Sequence, residues 1–119
     1  MGYTMGTFVH PITVIGPSGA FETIEALVDT EHLFALLPHT FLSPLGVYAP
    51  RSTRYRGQWR GCGQVQGELD GQHGWITYIT GAEDEQPRIA RHTLDCFVPD
   101  VDEENQRLVP KELREIRHV

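Results

Sequence analysis

Apolar and polar positions alternate along most of this chain, the pattern of half-buried strands. Thr7 to Ile15 (TFVHPITVI) sets Phe8, Ile12 and Val14 among β-branched neighbours and runs into Gly16-Pro17-Ser18-Gly19, a turn sequence. Ala20 to Val28 (AFETIEALV) alternates Phe21 and Thr23 with Glu22 and Ile24, so the two segments predict a β-hairpin. The apolar run Leu33 to Leu37 is closed by Pro38. It is too short for a helix and predicts a buried strand. His39 to Gly46 predicts about two helical turns, limited by Pro44 and closed by Gly46 in a left-handed conformation.

From Ser52 to Tyr78 the glycines Gly57, Gly61, Gly63, Gly67, Gly71 and Gly74 predict a series of short strands and tight turns. Glu83-Asp84-Glu85 predicts a solvated loop, Ala90 to Phe97 a second short helix, and Arg107-Leu108-Val109 a closing strand. Residues 1–5 and the charged tail 111–119 are expected to be flexible termini. Together these elements predict an all-β, mainly antiparallel fold with one or two short helices.

The 119 residues suit a single domain spanning 1–119. With 39% hydrophobic and 22% charged residues, disorder is disfavoured, and a chain of this length needs no metal or disulfide to support its core. Sixteen Asp and Glu against ten Lys and Arg give a net charge of −6. Phosphate binding depends on a basic face, and no Lys/Arg run is longer than the scattered arginines from Arg51 to Arg60, so no nucleic-acid partner is expected. No apolar stretch approaches the roughly 18 residues of a membrane span, and MGYTMGTF lacks the features of a signal peptide. No membrane association and a cytoplasmic location are expected. Cys62 and Cys96 stand outside any CxxC pair, as free thiols do in a reducing compartment.

The candidate chemistry begins at Ala26-Leu27-Val28-Asp29-Thr30-Glu31, an apolar strand running directly into a carboxylate. Such a group needs a hydrogen-bonding or ionic partner, because desolvating it alone is costly. On residue statistics a turn or helix-cap Asp is the commoner case. No pair of the six histidines has the spacing of zinc ligands. His32 with Asp29 and Glu31 would hold a metal only if all three turned the same way, and a solvated or capping role is favoured. Neither a metal nor a cofactor is expected. Cys62 between two glycines reads as a reactive thiol or as a small residue in a hairpin turn, and Trp59 and Trp75 as core, interface or groove residues.

Taken in order, Ala26-Leu27-Val28-Asp29-Thr30, Leu36-Leu37-Pro38, a short helix with Phe41-Leu42 and Leu45-Gly46-Val47, Thr93-Leu94-Asp95 and Arg107-Leu108-Val109-Pro110 resemble the retropepsin-like aspartic proteases, in particular their small bacterial single-lobe members. The resemblance covers nearly the whole chain. It implies a closed, barrel-like acid-protease lobe. One lobe supplies one catalytic Asp, so the resemblance also implies a homodimer in which two Asp29 carboxylates share a proton, with Thr30 bracing the pair across the two-fold axis.

The departures from the family pattern are specific. Glu31 stands where the family has Gly after Asp-Thr, adding a carboxylate beside the dyad. It is expected to turn outward or to pair with Arg91. Arg88-Ile89-Ala90-Arg91 replaces apolar-apolar-Gly-Ala, with Ala90 in the Gly position. The flap segment around Tyr55 to Gly63 is short, which weakens closure over a substrate. Glu31, Trp59 and Ala90 are the candidate substrate-facing positions. Two functions follow: a weakly active or catalytically silent homodimer (a pseudoenzyme) kept to bind a peptide or protein ligand, or an active aspartic endopeptidase using Asp29 and Thr30.

Overall fold

A computed structural model describes residues 8–97, 100–102 and 104–109. The chain forms strands β1 (Val9–Ile15), β2 (Phe21–Val28) and β3 (Ala35–Pro38), then helix α1 (His39–Leu42) and a 3-10 turn over Ser43–Leu45. Strands β4 (Arg51–Tyr55), β5 (Gln58–Leu69), β6 (Gln72–Gly81) and β7 (Arg88–Ile89) follow, then helix α2 (Arg91–Phe97) and strands β8 (Asp100–Asp102) and β9 (Arg107–Val109).

Seven strands make one sheet in the order β1-β2-β7-β3-β6-β5-β4. A further antiparallel pairing of β1 with β5, Val14 opposite Gly67, closes it into a ring. A side chain at Gly67 would place its Cβ 2.8 Å from the Thr13 carbonyl oxygen and 2.3 Å from Ile76 Cδ1. Only a residue without Cβ lets β1 lie this close across β5. The pairings β2–β7 and β3–β6 are parallel, and the remaining pairings in the ring are antiparallel. The lobe is thus all-β and barrel-like with two short helices. Ile12, Val14, Val28, Leu37, Leu42, Leu69, Ile76, Ile89, Leu94 and Phe97 fill its interior.

The predicted hairpin is β1–β2, in register from Val9 opposite Leu27 to Ile15 opposite Phe21. The helical segment also forms where expected, and Gly46 ends it with φ of 75°. Other expectations need correction. The apolar run starts its strand only at Ala35, and Leu33 stays exposed because the carbonyls of His32 and Leu33 accept the Arg91 and His92 amides at the start of α2. The glycine-punctuated region is the short strand β4 followed by two long strands, β5 and β6, rather than a series of short ones. Only Gly57 and Gly71 sit in turns with positive φ, and the others lie inside strands. Cys62 is therefore a strand residue, opposite Arg51, and not part of a turn. Residues 1–5 and 111–119 lie outside the described residues.

Candidate active site

The ring places Asp29 at the end of β2, one residue beyond the buried Val28. Strand β2 is held in place because the Leu27 amide donates to Pro87 O at 2.8 Å and the Asp29 amide to Ile89 O at 2.9 Å. Asp29 is only 8% exposed, so its carboxylate must be compensated from within the protein.

Three groups compensate it. The Glu31 amide donates to Oδ1 at 2.9 Å, an Asx-type turn that fixes the carboxylate over its own loop. His32 Nδ1–H donates to Oδ2 at 2.7 Å. Arg88 brings its Nε to 3.3 Å from the same oxygen, an ion pair in which both side chains are largely removed from solvent. The Arg88 N–H is not aimed at that oxygen, so the contact is chiefly a matter of charge. Arg88 Nη1 donates instead to the Tyr55 hydroxyl at 3.2 Å.

Tyr55 belongs to the β4–β5 hairpin, which turns through Arg56 and Gly57, both with positive φ. The hairpin is tied down a second time by Arg60. Its guanidinium donates to Glu85 Oε1 at 2.7 Å and to the Thr80 carbonyl at 3.0 Å, and lies 5.5 Å from the centre of the Tyr55 ring. Glu85 also accepts the Ala82 amide. The Arg60 hydrogen bond, helped by that amide, holds the Glu85 carboxyl down at about 2, and Glu85 in turn raises Arg60. Glu85 is thus half-buried and ion-paired, a correction to the solvated loop expected for Glu83-Asp84-Glu85. Ion pairs and hydrogen bonds, with the Arg60 guanidinium resting on the Tyr55 ring between them, lead from Glu85 through Arg60, Tyr55 and Arg88 to Asp29 and His32.

Thr30 follows Asp29 in the turn, half-buried, and its carbonyl accepts Arg91 Nη2 at 3.0 Å. Glu31 points to solvent with an ordinary φ, so this turn does not require glycine. Arg91 therefore braces the turn through its backbone and not through the Glu31 carboxylate. Ala90 is fully buried between β7 and α2, and its carbonyl accepts the Leu94 amide at 3.0 Å to open the helix. It is a packing position. Trp59 is 67% exposed, with the Arg54 guanidinium 5.3 Å from its ring centre. It stands opposite Arg54 on the hairpin, one position out of phase with Gln58 and Arg60, so it faces away from the side that carries Arg60. Asp29, Thr30 and Glu31 are thus brought together, while Ala90 and Trp59 are not part of the carboxylate's surroundings.

Arg88 and, through it, Tyr55 and Arg60 are the residues that sequence reasoning did not connect with Asp29, whereas His32 was weighed beside Asp29 as a metal ligand or as a solvated or capping residue and proves to be its hydrogen-bond donor. A signal existed for one of them: Arg88 stands at a position where the family pattern is apolar. Among the described residues no three His, Cys, Asp or Glu side chains are grouped to hold a metal ion. Asp29 and His32 meet, but Glu31 turns away.

No protein-family model and no curated protein matches the sequence. Solved structures do match. A retropepsin-like aspartic protease from Rickettsia conorii superposes with a TM-score of 0.53 at 18% identity, covering 79% of this chain and 85% of that one. EIAV protease bound to an inhibitor matches with a TM-score of 0.49 at 15% identity, covering 80% of this chain and 92% of that one. The chain has the retropepsin-like fold.

Proposed function

We propose that this retropepsin-like chain is a homodimeric scaffold that binds a peptide or protein ligand and is weakly active or catalytically silent. The observation that carries this reading is the Asp29 carboxylate, whose Oδ2 faces both His32 at 2.7 Å and Arg88 at 3.3 Å. A proton-sharing dyad needs two carboxyl groups that face each other and a water, with one of them neutral. Here the donors come from the carboxylate's own chain. His32 donates to the oxygen that would activate a water, and Arg88 stands beside it.

The other reading is an active aspartic endopeptidase. It is favoured by the intact Asp29-Thr30 pair at the end of β2 and by the outward turn of Glu31, which keeps the extra carboxylate away from Asp29. In that reading one Asp29 acts as base toward water and the partner's Asp29 as acid toward the scissile carbonyl, with Thr30 bracing both. The acidic net charge of −6 supports protein rather than nucleic-acid ligands, and the two free cysteines suit a cytoplasmic setting.

A peptide-library cleavage assay between about pH 4 and pH 7 distinguishes the two readings, that being the range in which a shared-proton dyad works. The wild type, Asp29→Asn, Glu31→Gly and Arg88→Ile are compared. The scaffold reading expects little or no cleavage by the wild type, loss of any weak cleavage in Asp29→Asn, and no robust cleavage in Glu31→Gly, where the turn nears the family geometry but the flap stays short. Robust wild-type cleavage abolished by Asp29→Asn overturns it. Cleavage gained in Arg88→Ile and lost again in the double variant with Asp29→Asn identifies Arg88 as the group that silences the site.

A further inference from the structure

No Asp or Glu occurs between Glu31 and Glu68, although the chain carries sixteen of them and has a net charge of −6. The same stretch holds Arg51, Arg54, Arg56 and Arg60, all on the β4–β5 hairpin. Among the described residues the only other Lys or Arg are Arg88, Arg91 and Arg107. Arg60 and Arg88 are paired with Glu85 and Asp29. Arg51, Arg54 and Arg56 are exposed and form no ion pair among the described residues. The hairpin is therefore a local excess of positive charge on an acidic protein.

The strand that carries Arg51 and Arg54 also has a free edge. The β1–β5 pairing closes the other six strands of the sheet into a ring, whereas β4 pairs with β5 alone among the described residues. No backbone hydrogen bond outside that ladder reaches Arg51–Tyr55 among the described residues. In an antiparallel pair every second residue turns its N–H and C=O away from its neighbour, so β4 presents donors and acceptors to an incoming strand. Side chains alternate across it: Arg51, Thr53 and Tyr55 share the face of Arg60, while Ser52 and Arg54 share the face of Trp59. The exposed Trp59 ring adds apolar surface beside the Arg54 guanidinium.

We propose that β4 accepts an acidic, extended segment of a partner protein as an added strand, with one carboxylate on Arg51 and a second on Arg54. Backbone hydrogen bonds along the edge supply affinity, and the opposite-charge pairs across the two strands supply selectivity. Cations along an edge deter pairing with neutral or basic strands. An acidic strand is the one they admit. Because Arg51 and Arg54 are three residues apart and on opposite faces, the two acidic residues of the ligand are three positions apart as well. A nucleic acid is the less suitable occupant, since its backbone carries no N–H to donate to the edge carbonyls and a chain of net charge −6 repels a long polyanion. The inference rests on the ligand-binding reading above and names the class of ligand.

The full-length chain is titrated with short peptides, and binding is read by calorimetry and, in Trp75→Phe, by the fluorescence of Trp59 as the sole indole. One peptide carries two glutamates three positions apart, an isomer carries them two apart, and a third has glutamines in their place. A fourth is the first peptide N-methylated at two consecutive backbone amides. The first is expected to bind about tenfold more tightly than the glutamine form and several-fold more tightly than the isomer, and the N-methylated form is expected not to bind. Arg51→Gln and Arg54→Gln should each weaken the first peptide about threefold. Arg107→Gln, which removes the same charge from β9, should leave its affinity unchanged. No binding of the first peptide at millimolar concentration overturns the proposal, as does equal affinity for the glutamate and glutamine forms or for the two spacings. Retained binding of the N-methylated form, unchanged affinity in both hairpin variants, or tighter binding of a single-stranded oligothymidylate overturns it too. Each of these failures leaves the reading of Asp29 untouched, because the cleavage assay decides that reading.

Discussion

Arg88 Nε lies 3.3 Å from Asp29 Oδ2 because β2 and β7 run parallel, with Leu27 opposite Arg88 and Val28 opposite Ile89. The cation and the carboxylate reach one another across neighbouring strands of the ring. Removing only Arg88 leaves a buried carboxylate with His32 and the Glu31 amide as its remaining partners, and removing only Asp29 leaves a buried guanidinium. Each of Arg88→Met and Asp29→Asn is therefore expected to destabilise the fold. A double-mutant cycle by urea unfolding should give a coupling of about 2 kcal/mol. Strictly additive effects would mean that the pair contributes no interaction of its own.

The Arg60–Glu85 pair makes a prediction for acid stability. The Glu85 carboxyl lies at about 2 in the folded chain against 4.5 when unperturbed. Its stabilisation is complete above the unperturbed value and is lost as the pH falls through that interval. The contribution should be about 2 kcal/mol, reduced from its full value by the solvent that reaches the pair. Glu85→Gln should unfold at a lower urea concentration than the wild type at pH 7, and the gap should narrow as the pH falls toward 2. A constant gap at all pH values would refute this linkage.

Ring closure depends on Gly67. Its missing Cβ would press on the Thr13 carbonyl oxygen and on Ile76, so Gly67→Ala is expected to cost about 3 kcal/mol through forced separation of β1 from β5. Gln66→Ala, at an exposed neighbouring position, should stay within about 0.5 kcal/mol of the wild type. Thermal unfolding of the two variants provides the comparison, and similar melting temperatures would contradict the account of closure.

Assembly is checked by sedimentation equilibrium. The proposed homodimer has twice the 13.4 kDa mass of the chain, arranged about a two-fold axis. Dimer mass is expected at micromolar concentration in the wild type and in Asp29→Asn, whose substitution leaves the backbone of the turn in place. A stable single-chain mass at that concentration would remove the shared site on which the peptidase reading depends.

Much of the fold was legible in the sequence because the signals concerned are local. Alternation over Thr7 to Val28 specifies the β1–β2 hairpin, since a slip of one residue would move Ile12 and Val14 from the core to solvent. Gly46 marks the end of the helical segment because a left-handed φ is cheapest without a Cβ. The position of Asp29 at the end of an apolar strand was equally visible, and so was the placement of Thr30 beside it. What the sequence could not show is which distant side chains meet that carboxylate. Arg88 lies 59 positions along the chain from Asp29, and only the parallel register of β2 with β7 brings the two together. Tertiary packing also decided the glycines: Gly61, Gly63, Gly67 and Gly74 have the look of turn residues, yet they lie inside long strands where another chain segment approaches too closely for a Cβ. Composition reports that a residue lacks a side chain. The surrounding fold determines whether that absence serves a bend in the backbone or the close approach of a neighbour.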